Sequence, residues 1–274
     1  MFFFDVVYSN IFTHSPVTTK VGYINSKKDT HFNLVFIGSS RVANHIVPSV
    51  FEEELNLSAI NFGVMDARPK DMLVLIKALD TWNITYDTLY VQLDYYYNSF
   101  DRSNFMYYEM LPYTNLLPLQ SYFESEHDNL YIEYVPFYKY AANDSKLGVR
   151  ALVKEIITKE SMFEDSKGFV PLYGTGNTWK RVLPDTVPSK GNPYIATLKA
   201  YSESHKLNVK FFVAPFREDV ENLRFIDSLK VRLPDLINFS TKITQGEYFK
   251  NGYHLNNEGA MKFSKLFAKY LKEK

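Results

Sequence analysis

The stretch Asn33–Ile46, NLVFIGSSRVANHI, decides how this chain is read. Leu34 to Ile37 form an unbroken apolar run. It does not alternate with polar residues, so it reads as a strand buried on both faces, as in a parallel sheet. The run stops at Gly38, and Ser39, Ser40 and Arg41 follow before a helical pattern begins near Val42. A serine at such a junction has two readings. It caps the helix through its side-chain oxygen. Or it is a nucleophile held at a sheet edge, beside the free N–H groups of a helix start. Taken alone, the stretch favours Ser40 as a cap.

The same rhythm continues outward. AINFGV (59–64) and DTLYVQLD (87–94) read as further strands, as does NVKFFVAPF (208–216), with DLINFS (235–240) a weaker fifth. Between them, RPKDMLVLIKALD sets Met72, Leu75, Ile76 and Leu79 at i, i+3, i+4, i+7, the spacing of an amphipathic helix. Asn192 can cap a helix that begins with Pro193. EDVENLRFIDSLK (218–230) reads as another helix. In the closing segment Ala260, Phe263, Phe267 and Tyr270 share one helical face. Strands separated by helices predict one parallel sheet with helices on both sides, in a single domain spanning 1–274. Ligands of such sheets bind at the carboxyl ends of the strands. Gly38–Arg41, Gly63–Ala67 and Asp94–Tyr97 should therefore meet at one edge.

From Tyr95 to about Gly191 the rhythm is lost. Pro112, Pro118, Pro136, Pro171, Pro184 and Pro188 interrupt an aromatic-rich tract that reads as an insertion covering one end of the sheet. One helix is expected within it, at SKLGVRALVKEIITKE (145–160), and GFVPLYGTGNTW reads as loop. GTGNT (174–178) lacks the Lys-Ser/Thr of a phosphate loop. The chain holds 21 Tyr and 22 Phe, which suit packing first and a sugar-binding platform second.

Composition narrows the function. Lys+Arg and Asp+Glu both number 31, so neither a nucleic-acid footprint nor an acidic partner is indicated. There is no cysteine, which removes disulfides, thiolate metal sites and thiol nucleophiles. The six histidines, at 14, 31, 45, 127, 205 and 254, show no metal-ligand spacing, and no metal or cofactor is implied. MFFFDVVYSNIF at the start is apolar but too short to span a bilayer, and it lacks the basic region and cleavage site of a signal peptide. It reads equally as a segment packed on the domain or as the end of a membrane anchor lying upstream.

His254, in NGYHLNNEGA (251–260), sits just before the last helix, at another edge position. It is the histidine best placed to serve as a base for a serine.

Together, GSSR (38–41), NFGV (61–64) and the NGYHLNNEGA block make the chain resemble the SGNH/GDSL hydrolase superfamily, in particular divergent bacterial members with a G-S-S-R first block. The resemblance covers about 33–94 and 192–274 and leaves the insertion outside. It implies a flavodoxin-like, three-layer α/β/α sandwich with a parallel sheet of about five strands. It also implies an acyl-enzyme on Ser40, His254 as general base, and an oxyanion site from the Ser40 and Gly63 N–H groups. The expected activity is that of a serine esterase or O-acyltransferase on acylated small molecules or polysaccharide, such as bacterial envelope or extracellular carbohydrate. The expected location is extracytoplasmic or membrane-associated.

Two positions depart from the family. Its aspartate, three residues before the histidine, is Asn251 here. An asparagine can orient His254 through its carbonyl oxygen but brings no charge, and its amide end favours the wrong tautomer. That leaves another carboxylate, a slow enzyme, a Ser–His dyad, or an inactive descendant that binds carbohydrate or serves in assembly. In the third block, Asp94 lies where an oxyanion donor is expected. Either Arg41 neutralises it and the pair shapes the site, or both are ordinary solvated residues. Asn98 could reach back as a donor.

Overall fold

The computed structural model describes residues 1–14, 18–114, 120–123, 129–158, 160–176 and 181–274. Pro118, His127 and the second half of the GTGNT stretch lie outside these residues. The strands are β1 (His31–Gly38), β2 (Ala59–Gly63), β3 (Thr85–Gln92), β4 (Val209–Val213) and β5 (Ile237–Asn238). They form one sheet of order β2-β1-β3-β4-β5 in which every pair is parallel. This is the flavodoxin-like order, and its crevice lies where the winding reverses, between β1 and β3. Register sets Gly38 beside Gly63 and Ile37 beside Val91. The carboxyl ends of β1, β2 and β3 therefore stand side by side.

Successive residues of each strand point to opposite faces, and the two faces have separate cores. Val35, Ile37, Phe62, Leu89, Val91 and Val213 pack on one side with the helices Pro69–Thr81, Pro193–Ser204 and Arg224–Arg232. Leu34, Phe36, Tyr90 and Phe212 pack on the other with Pro48–Leu55 and Asn257–Lys272. Three layers result, α/β/α. On the second side the Phe267 ring meets Phe36, Phe51, Tyr90, Phe212 and Phe239 at centroid distances of 4.7–5.8 Å. Truncating a buried aromatic of this kind costs about 3–5 kcal/mol.

Several elements differ from the sequence expectation. The 218–230 helix begins only at Arg224. Upstream, Asn222 takes a left-handed φ of 64° and Glu221 bridges to Val182, so the chain there is held extended. The 145–160 helix is two helices, Asp144–Leu147 and Val149–Ile157. They break at Gly148, where a Cβ would meet the Asp144 carbonyl at 2.4 Å. β5 has two residues only. The insertion also holds more helix than expected, including Asn104–Met110 and Asn129–Tyr134. Many of its aromatics serve packing: Tyr113, Tyr122 and Tyr140 are fully buried.

The N-terminal segment forms the helix Phe2–His14. It is anchored by Tyr8 and Phe12, whose rings pack against Phe137 and Tyr140. Among the described residues no helix is long and apolar enough to cross a membrane.

Candidate active site

Ser39 and Ser40 divide the two roles that the sequence left open. Ser39 is the cap: its Oγ accepts from the Arg41 N–H at 3.2 Å and donates to Gln92 Oε1 at 2.9 Å. Ser40, expected as the cap if not the nucleophile, is instead the first residue of the one-turn helix Ser40–Ala43. That leaves its hydroxyl free, and Ser40 Oγ lies 2.8 Å from His254 Nε2. The turn is tight because nothing larger fits beneath it. A Cβ on Gly38 would lie 2.6 Å from Val42 Cγ2 and 2.8 Å from Gln92 Cβ. Asn61 clamps the turn from β2, its amide nitrogen donating to the Val42 and Ile46 carbonyls at 2.8 and 2.7 Å.

His254 comes from the loop before the closing helix. Asn256 caps that helix, accepting from Gly259 N–H at 2.9 Å. His45, buried beside the Ser40 turn, accepts the Leu255 N–H through Nε2 at 3.0 Å. The Ser40 turn and the His254 loop are thus joined by a backbone-to-side-chain bond as well as by the Ser40–His254 contact. Burial, with the Arg41 and Arg181 charges, lowers the His254 pKa to about 4. The ring is neutral at physiological pH.

The other side of the ring is where this site departs from a Ser–His–Asp arrangement. Asn251 Oδ1 accepts two backbone N–H groups, from Tyr253 at 3.2 Å and His254 at 2.9 Å. Those donors fix the amide, so its nitrogen faces His254 Nδ1 at 3.1 Å. An amide nitrogen can only donate. Nδ1 must accept, and the neutral ring then carries its proton on Nε2 and donates it to Ser40 Oγ. A general base needs the opposite tautomer, with the proton on Nδ1 and a free lone pair at Nε2. The expectation that Asn251 would accept Nδ1–H through its carbonyl is therefore corrected: that oxygen is already occupied by the loop backbone. An aspartate there would accept on both sides, which is the physical content of the substitution.

Arg41 and Asp94 form a buried ion pair, Nη1 to Oδ2 at 3.0 Å, with both side chains essentially inaccessible. Gln92 Nε2 donates to the same carboxylate oxygen at 2.7 Å, and Tyr96 N–H to the other at 3.0 Å. Arg41 also donates to the Ala214 and Pro215 carbonyls at 2.8 and 2.6 Å and lies over the Phe216 ring. The pair ties β1, β3 and β4 together below the serine. It leaves Asp94 neutralised and turned into the protein.

Two expected donors are not available. The Gly63 N–H donates to Asn61 Oδ1 at 3.0 Å, so it does not face an oxyanion. Gly63 is needed for close packing instead: a Cβ would lie 2.3 Å from the Ala43 nitrogen. Asn98 donates to the Thr186 carbonyl at 2.8 Å and pins the insertion rather than reaching the serine. Of the expected oxyanion pair, the Ser40 N–H remains, with no partner among the described residues.

Sequence reading missed three contributors. Arg181 is partly buried, with its guanidinium carbon 4.1 Å from the Tyr95 ring centroid and 4.9 Å from that of Tyr253. It makes no ion pair among the described residues, and its charge reaches His254. His45 carried no motif signal beyond its place four residues after Arg41. The segment 168–176, read as plain loop, runs along both the Ser40 turn and the His254 loop. Val170 exchanges bonds with Ala43 and Asn44, Gly176 N–H donates to Lys250, and Leu172 accepts from Asn257. Backbone contacts of that kind leave almost no trace in side-chain identity.

Among the described residues no group of three or more His, Asp or Glu side chains is arranged to hold a metal ion. No protein-family model matches the chain, and no curated protein matches it.

Proposed function

We propose that the chain is an SGNH-like serine esterase or O-acyltransferase that forms an acyl-enzyme on Ser40. The observation that carries this reading is the 2.8 Å contact between Ser40 Oγ and His254 Nε2, across 214 positions of sequence, at the carboxyl edge of a parallel sheet. A hydroxyl within hydrogen-bond reach of a neutral imidazole is the working pair of acyl transfer.

The steps follow from the groups present. Ser40 Oγ attacks the ester carbonyl while its proton passes to Nε2, and the developing oxyanion takes the Ser40 N–H. The alcohol leaves with the proton returned from Nε2. Water or an acceptor hydroxyl then attacks the acyl-enzyme by the reverse path. For the first step the ring must shift its proton from Nε2 to Nδ1, against the Asn251 amide. This predicts a slow enzyme rather than an efficient one. The fit to O-acylated carbohydrate of a bacterial envelope or extracellular polysaccharide, met outside the cytoplasm, rests on the family resemblance. Tyr253, partly exposed with its ring 4.6 Å from that of His254, would face the sugar.

A second reading has its own observation. The Asn251 amide on Nδ1 also suits a descendant that has lost catalysis and retains the pocket for binding or assembly. Hydrolysis of a short-chain aryl ester by the wild type and by Ser40→Ala separates the two. A wild-type rate above that of Ser40→Ala supports the enzyme. Equal rates remove Ser40 as nucleophile and leave the binding reading.

A further inference from the structure

Three neighbouring helices leave apolar faces in solvent. In Phe2–His14, Phe2 and Phe3 are each 71% exposed. In Val149–Ile157, the residues Val149, Val153, Ile156 and Ile157 follow i, i+4, i+7, i+8 spacing and are 46–69% exposed. In Asn129–Tyr134, Leu130, Tyr131 and Tyr134 are exposed as well. The N-terminal helix packs against Val149–Ile157, and its Phe4 ring lies 5.9 Å from Phe137, just beyond the third helix. The Tyr131 ring of that helix lies 5.3 Å from that of Tyr138, tilted by 36°, so the three form one neighbourhood. A water-soluble surface rarely gathers this much aromatic and aliphatic area without a partner.

The charges nearby indicate which partner. Arg150 and Lys154 are exposed, four residues apart, along one edge of the apolar face of Val149–Ile157. With Lys146 they line an open cavity of about 680 Å³ between this helix and the segment after the first. The acids of that cavity are Asp144 and Glu155, and Glu155 is engaged by the Thr18 hydroxyl and N–H. An apolar helix face bordered by Arg and Lys, with Phe and Tyr beside it, is the composition of a helix that lies in a membrane interface. A symmetric dimer through the same patch would bring Arg150 and Lys154 of two copies toward each other in an apolar contact, an unfavourable arrangement.

We propose that this face docks on an anionic phospholipid bilayer. Phe2, Phe3, Ile156 and Ile157 enter the boundary between headgroups and acyl chains, and Arg150 and Lys154 meet lipid phosphates. The contact is peripheral and needs no membrane-spanning helix. It is independent of whether Ser40 is catalytic.

Co-sedimentation of the full chain with phosphatidylglycerol-containing vesicles and with pure phosphatidylcholine vesicles tests this. The wild type is expected to pellet with the anionic vesicles. The pairs Phe2→Ser/Phe3→Ser and Ile156→Ser/Ile157→Ser should each weaken binding by about tenfold or more, as expected for losing two inserted apolar side chains. Arg150→Gln and Lys154→Gln should each weaken it about fivefold, for anionic vesicles only. These side chains are exposed, so circular dichroism and thermal unfolding should match the wild type. A wild type that stays in the supernatant with anionic vesicles overturns the proposal. So does a dimer, seen by sedimentation equilibrium, that the same apolar substitutions dissociate while vesicle binding is absent or unchanged.

Discussion

The Ser40 turn and the His254 loop meet across 2.8 Å, but they are tied into the protein in opposite senses. Around Ser40 the polar groups converge on one arrangement. Ser39 caps, Asn61 clamps, and the Arg41–Asp94 pair locks three strands beneath. Around His254 the anchoring is just as firm, through His45, Asn256 and Asn251. There the same bonds that fix the loop turn a donor toward Nδ1. The comparison teaches that geometry and proton polarity are separable. A site can hold the correct distance between nucleophile and base and still hold the proton on the wrong nitrogen.

The largest effect comes from reversing that polarity. Asn251→Asp keeps an acceptor for the two backbone N–H groups and places a charged acceptor on Nδ1. In a Ser–His–Asp hydrolase the opposite change costs about 10⁴ in kcat. The gain expected in aryl-ester hydrolysis here is about 10²–10⁴, and it should vanish in the Ser40→Ala background. Breaking the other side acts on stability instead. Arg41→Ala leaves Asp94 buried without its partner, a loss of about 3–5 kcal/mol in denaturant unfolding. Equal stability of variant and wild type would show that the pair is not needed to hold the turn.

A smaller effect concerns pH. In the proposed reaction His254 would act as a base only when neutral, and its conjugate acid is held at about 4 by burial and the two arginines. Activity should therefore persist well below the ordinary histidine value of 6.5 and fall as pH drops through about 4. Removing a neighbouring positive charge makes protonation easier. Arg181→Gln should move this acid limb upward, toward 6.5. A limb that stays in place would show that the Arg181 charge does not act on the ring. The smallest effect is at Asn98, whose amide holds Thr186 and not the reacting groups. Asn98→Ala should change kcat/KM less than about twofold and stability by about 1 kcal/mol, the worth of one hydrogen bond.

Much of this arrangement was legible in sequence because it rests on patterns with a period. The unbroken run 34–37 gave a strand buried on both sides, and the 72–79 spacing gave its covering helix. The position of Ser40 after Gly38, and of His254 before a helix, followed from strand and helix ends. What could not be read is carried by backbone geometry. The family resemblance implies Gly63 as an oxyanion donor, and sequence does not reveal that Asn61 already takes its N–H. The late start of the Arg224 helix depends on the Val182–Glu221 bridge, which joins segments far apart in the chain. The identity of Asn251 warned of a missing charge, but its polarity required knowing where the Tyr253 and His254 N–H groups point. Arg181 belongs to no motif, and only the fold brings it over Tyr95 and Tyr253.

The claim that Asn251 sets the His254 proton is tested most directly by ¹⁵N NMR of the imidazole ring at neutral pH. In the wild type the expected spectrum has Nε2 protonated and Nδ1 unprotonated, with the two states exchanged in Asn251→Asp. A wild-type ring that carries its proton on Nδ1 would contradict it.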